Sequence, residues 1–424
     1  MYSRSKASPS ASSSRASTCS CRPSPTASGS PGRRKRTSSS SSAASSTARR
    51  STRASRPASN RDFCSDISPF ACSILHFNGP VTAPVKTRRL APRWKAAAAD
   101  YITALAWSPD GQHLAAATGA GTLEIFQADG TPGPKRPAHS LGIECLAWTP
   151  SGLFTGGQDK RLRFWDDSSP APRAEYLDAK CWVHRLAWSG HPVQSASGSP
   201  APLLAAACGK SILLCDASGA VIRKISGPAR TIEDACWFPN GDILLTAGYG
   251  GLQAWNPADG SHLRTYEWPA ALWSCTWSPD GRWVTGGSQE NAVHIWEAQD
   301  GAHMHMPGFE GKVRHQAWSP DSRWLATAGG IDVILWDCSG KGPEGRQGKL
   351  CAAHAEPLAA LAFHPRANHL ATACSGGRLI LWNADGEDEI LAAAVFDQPL
   401  TALAWSPADD RLAAATAQGA LAVF

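Results

Sequence analysis

The chain has 424 residues, with 41 Lys and Arg against 35 Asp and Glu, for a formal charge of +6. That charge is unevenly placed: residues 1–60 hold 12 Lys or Arg, 22 Ser and no acid, so the other 364 carry 29 basic and 35 acidic side chains, a balance of −6. No run approaches the roughly 20 apolar residues of a membrane helix, so the body is read as soluble, and its mild acidity argues against a phosphate-binding surface.

The first element in chain order is a leader, 1–84. Segments such as "SGSPGRRKRTSSSSSAASSTARRSTRASRP" have too little apolar surface to offset chain entropy, so the leader is expected to be disordered. Its acid-free composition fits a solvated tail, an upstream start codon, a targeting segment or, through "RRKR" at Arg33 to Arg36, a sequence-independent contact with nucleic acid.

From residue 85 onward the chain repeats. Eight units align on an aromatic anchor at Trp107, Trp148, Trp188, Trp237, Trp277, Trp318, Phe363 and Trp405, with spacings of 41, 40, 49, 40, 41, 45 and 42. A period near 42 marks an array of identical supersecondary units. In each unit an apolar strand ends at the anchor, a turn such as "WSPDG" or "WFPNG" reverses the chain, and an "LAAAT"-type strand follows. A small-residue turn then leads to a third strand ending in an aromatic residue. Pro presets φ, Asp or Asn accepts local backbone bonds and Gly tolerates positive φ, which makes these turns hairpins.

The third strands end "FWD" (Phe164 to Asp166), "AWN", "IWE", "LWD" and "LWN". These endings and the period resemble the WD40 repeat family. The resemblance covers residues from about 85 to 424, and it implies an all-β fold: a β-propeller of four-stranded antiparallel blades around a channel. Eight complete units favour eight blades, with seven, the commoner number in the family, as the alternative. The fourth strand of each blade comes from the segment leading into the next unit. The eighth unit ends at Phe424, so "VKTRRLAPRWKAAA", Val85 to Ala98, is expected to pair with the final strand and close the ring. In the second unit His139, Thr155, Asp159 and Trp165 match the family's structural hydrogen-bond tetrad. In the seventh, His354, Thr372 and Trp382 recur, but Gly376 stands where the Asp belongs.

Catalytic signatures are missing. There is no G-x-S-x-G elbow, and "CGKS", Cys208 to Ser211, has Leu204 where a phosphate-binding loop needs Gly. Thirteen Cys at unequal positions suit buried thiols in a reducing compartment better than a disulfide frame. "HMHMPGFE" puts His303 and His305 on one face of an extended strand and Met304 and Met306 on the other. That pattern offers zinc or copper as an alternative to an ordinary outer strand. The preferred function is a non-enzymatic, monomeric, cytoplasmic scaffold with no cofactor, binding a protein or peptide where the inner strands begin. The residues four and six before the anchors supply the candidates: Tyr101, Glu144, Trp182, His184, Glu233, Trp273, Lys312 and Arg314. "SGHPVQSASGSPAP", Ser189 to Pro202, is an inserted loop that accounts for the 49-residue spacing.

Overall fold

The computed structural model describes residues 88–424, apart from 167–168, 178, 196–197, 228–229, 387–388 and 409. The leader 1–84, and with it any contact of "RRKR" with nucleic acid, lies outside the described residues. Apart from an isolated parallel bridge between Arg89 and Ala393, the described strands pair antiparallel, and successive strands of a unit lie side by side: Ile102–Trp107, His113–Thr118, Thr122–Gln127 and Pro132–Pro137 form the first sheet in that order. The first strand of each unit packs against the first strands of its neighbours all the way round, which makes these strands the wall of the central channel.

The second strands explain why the units are rich in alanine. Leu114, Ala115, Ala116 and Ala117 are all fully buried; Leu114 and Ala116 pack toward Ala413, Ala415 and Leu421 of the last unit, while Ala115 and Ala117 pack toward Ile143 and Leu153 of the second. Side chains of a strand alternate between its two faces, and in a propeller both faces are covered, so both must be small enough for neighbouring sheets to close up.

The turns follow the chemistry of their residues. In "WSPDG" at Trp107 to Gly111, Ser108 Oγ donates to Asp110 Oδ1 at 2.5 Å and accepts from His113 N at 2.9 Å, while Asp110 Oδ1 also accepts from Gln112 N at 3.0 Å. Gly111 sits at φ 68°, a conformation open to Gly at no steric cost. Ser319 and Asp321 repeat the arrangement, and there the left-handed position is held by Ser322 at φ 64°, whose Oγ accepts from Asp280 N of the preceding unit at 2.9 Å.

The expectation of eight separate four-stranded blades is corrected. Among the described residues, six sheets have four strands and one has six, so the blades number seven when each is counted as a continuous hydrogen-bonded sheet. The fourth and fifth units share the six-stranded sheet. One cause is the segment Leu244–Trp255, which folds back on itself at Gly250 and Gly251, both at positive φ, and still pairs Tyr249 with Ala271 and Gly250 with Trp268. The other is that His262–Trp277 stays extended through "WPA", from the outer strand of one unit into the inner strand of the next, where other units have a loop. A further two-stranded sheet, Val193–Ser195 with Gly198–Ala201, occupies the inserted loop.

The ring closes between its ends. Trp94–Ala97 pairs antiparallel with Ala420–Val423, Trp94 opposite Val423, and completes the last sheet. Trp94 Nε1 donates to Ala128 O at 3.0 Å, and Arg411 reaches across to Ala128 O and Gly111 O at 3.0 and 2.6 Å with its guanidinium over the Trp107 ring. Anchor tryptophans tie neighbouring units together: Trp107, Trp237 and Trp405 donate from Nε1 to Ala404 O, Ala187 O and Ala362 O, in each case the residue before the preceding anchor.

Candidate functional site

The end of the ring where the inner strands begin also carries the turns between second and third strands, because antiparallel pairing returns the chain there. Backbone bonds fix the two together: Gly119 N to Tyr101 O at 3.1 Å, Gln158 N to Gly142 O at 2.9 Å and Ile232 N to Gly209 O at 2.9 Å. This end, the mouth face, holds all eight candidate partner-binding residues.

They fall into different situations. Tyr101 is 43 % exposed and lies over Gly119, where a Cβ would meet its ring, and Trp182 is 51 % exposed. Glu144 is half-buried and accepts a 2.5 Å bond from Gln158 Nε2. His184 is committed to the scaffold, its Nε2 donating to Ile232 O of the next unit at 2.8 Å. Thr103 and Thr401, at the same position of their units, do the same to Ile143 O and Ile102 O, both at 2.7 Å. In these three units the residue four before the anchor stitches inner strands together. Glu233 is half-buried. Trp273, Lys312 and Arg314 form one group, with the Lys312 ammonium 5.4 Å and the Arg314 guanidinium 4.3 Å from the Trp273 ring.

Two features escaped the sequence reading. Arg185 and Asp234, each three residues before its anchor, form an ion pair between consecutive inner strands, Nε to Oδ1 at 2.5 Å. Asp234 Oδ2 also accepts from Cys275 N at 3.0 Å. Aligning the third position before each anchor would have revealed them. Arg230 lies over the Tyr249 ring at 5.2 Å; Tyr249 is 51 % exposed and sits on Leu244–Trp255 just before the Gly250–Gly251 bend, away from the aligned inner-strand positions.

The tetrad residues are joined. His139 Nδ1 meets Asp159 Oδ1 at 2.7 Å, His139 Nε2 meets Thr155 Oγ1 at 2.8 Å, and Trp165 Nε1 donates to Thr155 Oγ1 at 2.9 Å. Burial opposes the charge on Asp159, but its bonds to His139 and Arg163 hold its carboxyl below the usual range. In the seventh unit His354 Nε2 meets Thr372 Oγ1 at 2.8 Å and Trp382 Nε1 donates to the same oxygen. With Gly376 in place of the acid, His354 Nδ1 is buried without a partner, and burial pushes this imidazole down to about 4. The Trp-to-Thr bond recurs as Trp255 to Thr246 and Trp336 to Thr327, both at 2.9 Å, which is why the third strands end on Trp.

The His/Met stretch is the outer strand His303–Pro307, paired with Ala292–Glu297. Met306 is buried and Met304 packs on the same core. The other face stacks His303 and His305 against His294, which is fully buried; the ring planes are 10° apart and Trp268 covers His294 at 3.8 Å. Burial, with the neighbouring rings, pushes His294 down to about 2 and His303 to about 4. These rings lie parallel instead of converging, and among the described residues no group of three or more His, Cys, Asp or Glu is arranged to hold a metal ion. Nothing in that geometry supports the zinc or copper alternative, whose imidazoles and thioethers fall on opposite faces of the strand.

Family models match in four places. Residues 93–151 match the anaphase-promoting complex subunit 4 WD40 domain, and residues 260–297, 303–337 and 345–383 match the WD domain, G-beta repeat. The chain is 31 % identical over 175 residues to the WD repeat-containing protein slp1 of Schizosaccharomyces pombe, covering 38 % of this chain and 34 % of that one. It is 24 % identical to the B-type cell cycle switch protein ccs52A of Medicago truncatula, covering 46 % and 42 %, and 26 % identical to the anaphase-promoting complex subunit cdc20 of Dictyostelium discoideum, covering 42 % and 36 %. The chain spans less than half the length of these relatives. Among solved structures, the computationally designed Ika8 protein superposes with a TM-score of 0.63 at 16 % identity, covering 77 % of this chain and 97 % of that one, a likeness of fold alone. Repeat, strand order, tetrad and family matches agree: the chain belongs to the WD40 repeat family, whose β-propellers are non-catalytic protein-interaction scaffolds.

Proposed function

We propose that this scaffold binds a protein or peptide across the mouth face of its propeller, as a single ring and in the cytoplasm. The observation that carries the reading is the set of aromatic side chains left open at one end of a rigid ring, Tyr101, Trp182 and Tyr249 at 43, 51 and 51 % exposure. Exposed apolar surface gathered on one face marks an interaction site, and Trp, Tyr and Arg dominate binding energy at protein interfaces. Buried thiols such as Cys145, Cys208, Cys215 and Cys275 suit the reducing cytoplasm. Relatives named as a cell cycle switch protein and as an anaphase-promoting complex subunit support a role built on protein contacts.

The test is recovery of partners from a lysate by the wild-type chain and by the Trp182→Ala/Trp273→Ala double variant, both of which should melt at the same temperature. Loss of specific partners by the double variant is expected. Equal recovery of every partner overturns the site.

A further inference from the structure

Across the fourth, fifth and sixth units the mouth face carries cations laid on aromatic rings. Arg230 covers Tyr249 at 5.2 Å; Lys312 and Arg314 cover Trp273 at 5.4 and 4.3 Å. The two groups adjoin, because Tyr249 pairs with Ala271, two residues before Trp273 on the same strand. Arg230, Lys312, Arg314 and Tyr249 are all exposed. Among the described residues none of the three cations forms an ion pair, whereas cations elsewhere on the molecule do, as Arg161 does with Glu175 and Arg282 with Glu297. The aromatic faces hold the cationic side chains in place without neutralising them, so their side-chain entropy is reduced before any ligand arrives.

From this arrangement we infer that the arc from Arg230 to Arg314 is the subsite for an acidic peptide segment, one that sets carboxylates on the three cations and an apolar side chain against Tyr249 and Trp273. The inference rests on the mouth-face reading above and adds the chemistry of the partner. Charge complementarity carries it, and so does the border: Glu290 and Glu310 are exposed and neither pairs with Lys312, while Glu233, the one acid at the register position of Trp273 and Arg314 in these units, is half-buried. They limit the positive surface to a short arc. A carboxylate-bearing peptide a few residues long fits that length, while an extended polyphosphate would run onto the acids.

The experiment uses the full chain and a fluorescein-labelled peptide, Asp-Glu-Asp-Phe-Glu-Asp-Glu, read by anisotropy. The uncharged analogue Asn-Gln-Asn-Phe-Gln-Asn-Gln and a labelled oligouridylate are measured alongside. Residues 1–60, with their 12 cations, are common to every protein compared, so the readout is the difference between wild type and the Lys312→Gln/Arg314→Gln variant. The inference expects at least a tenfold weaker Kd for the acidic peptide in that variant, no change for the neutral analogue and an unchanged melting temperature. Equal Kd in wild type and variant overturns it, as does a larger loss for oligouridylate than for the peptide. Should the Trp182→Ala/Trp273→Ala variant lose partners while peptide binding ignores the two charges, the mouth face stands and only the acidic chemistry falls.

Discussion

Acidification from pH 7 to 5 is expected to destabilise the propeller through its outer imidazole stack, and replacing His294 by Leu should blunt the effect. His294 is fully buried, its Nε2 has no partner, its Nδ1 meets His303 Nε2 at 3.0 Å, and its pKa is pushed down to about 2 by burial and by His303 and His305. In the unfolded chain the same ring titrates near 6.5. Between those two values only the unfolded state holds the proton, so stability falls as pH falls, at about 1.4 kcal/mol per pH unit. Over pH 7 to 5 that is about 2 kcal/mol for His294 alone, and His303 and His354, both pushed down to about 4, lose stability over the same window. Urea unfolding of wild type and His294→Leu at pH 7, 6 and 5 measures the difference. The variant should lose about 2 kcal/mol less than wild type over that range. Parallel pH dependences would refute the reasoning, since they would mean that His294 binds its proton equally well folded and unfolded.

Two further outcomes follow from the scaffold. Gly376→Asp should stabilise the seventh unit by about 1 kcal/mol, seen as a higher melting temperature, by giving His354 Nδ1 the acceptor that Asp159 gives His139. The new Cβ would meet the Glu356 side chain, Cγ at 2.8 Å and Cβ at 3.2 Å, which must shift, and Cys374 Sγ at an ordinary 3.6 Å; an unchanged or lower melting temperature would count against the missing-partner account. Removing residues 1–80 should leave the melting temperature intact, whereas removing residues 1–98 should lower it by stripping Trp94–Ala97 from the edge strand Ala420–Val423; equal melting of the two truncations would refute ring closure by that strand.

The parts of the fold that read well from the sequence are those fixed by local chemistry. "WSPDG" reverses the chain because Ser108, Asp110 and Gly111 each supply something the turn needs, and the anchors every 42 or so residues mark the inner strands. The order of units also places Trp94–Ala97 beside the last strand. What did not read well depends on how one unit meets the next. The fusion of the fourth and fifth units arises from an extended "WPA" and a Gly-Gly turn, which look like ordinary connections in the sequence. His294 stands alone in "NAVHIWE", and only the register that sets it opposite His305 brings three imidazoles together. His184 and Trp182 looked equally fit for a partner, yet the first is spent on Ile232 O while the second is open to solvent. Periodicity locates a side chain within its unit and leaves its cross-unit bonds undetermined.

The central claim, that partners dock on the mouth face, is tested most directly by placing a photo-crosslinking side chain at Tyr249, beside the mouth-face Gly250–Gly251 bend, and separately at Asp129, in a turn between third and fourth strands at the opposite end. The account predicts a specific crosslinked partner from Tyr249 and none from Asp129. Crosslinking from Asp129 alone would contradict it.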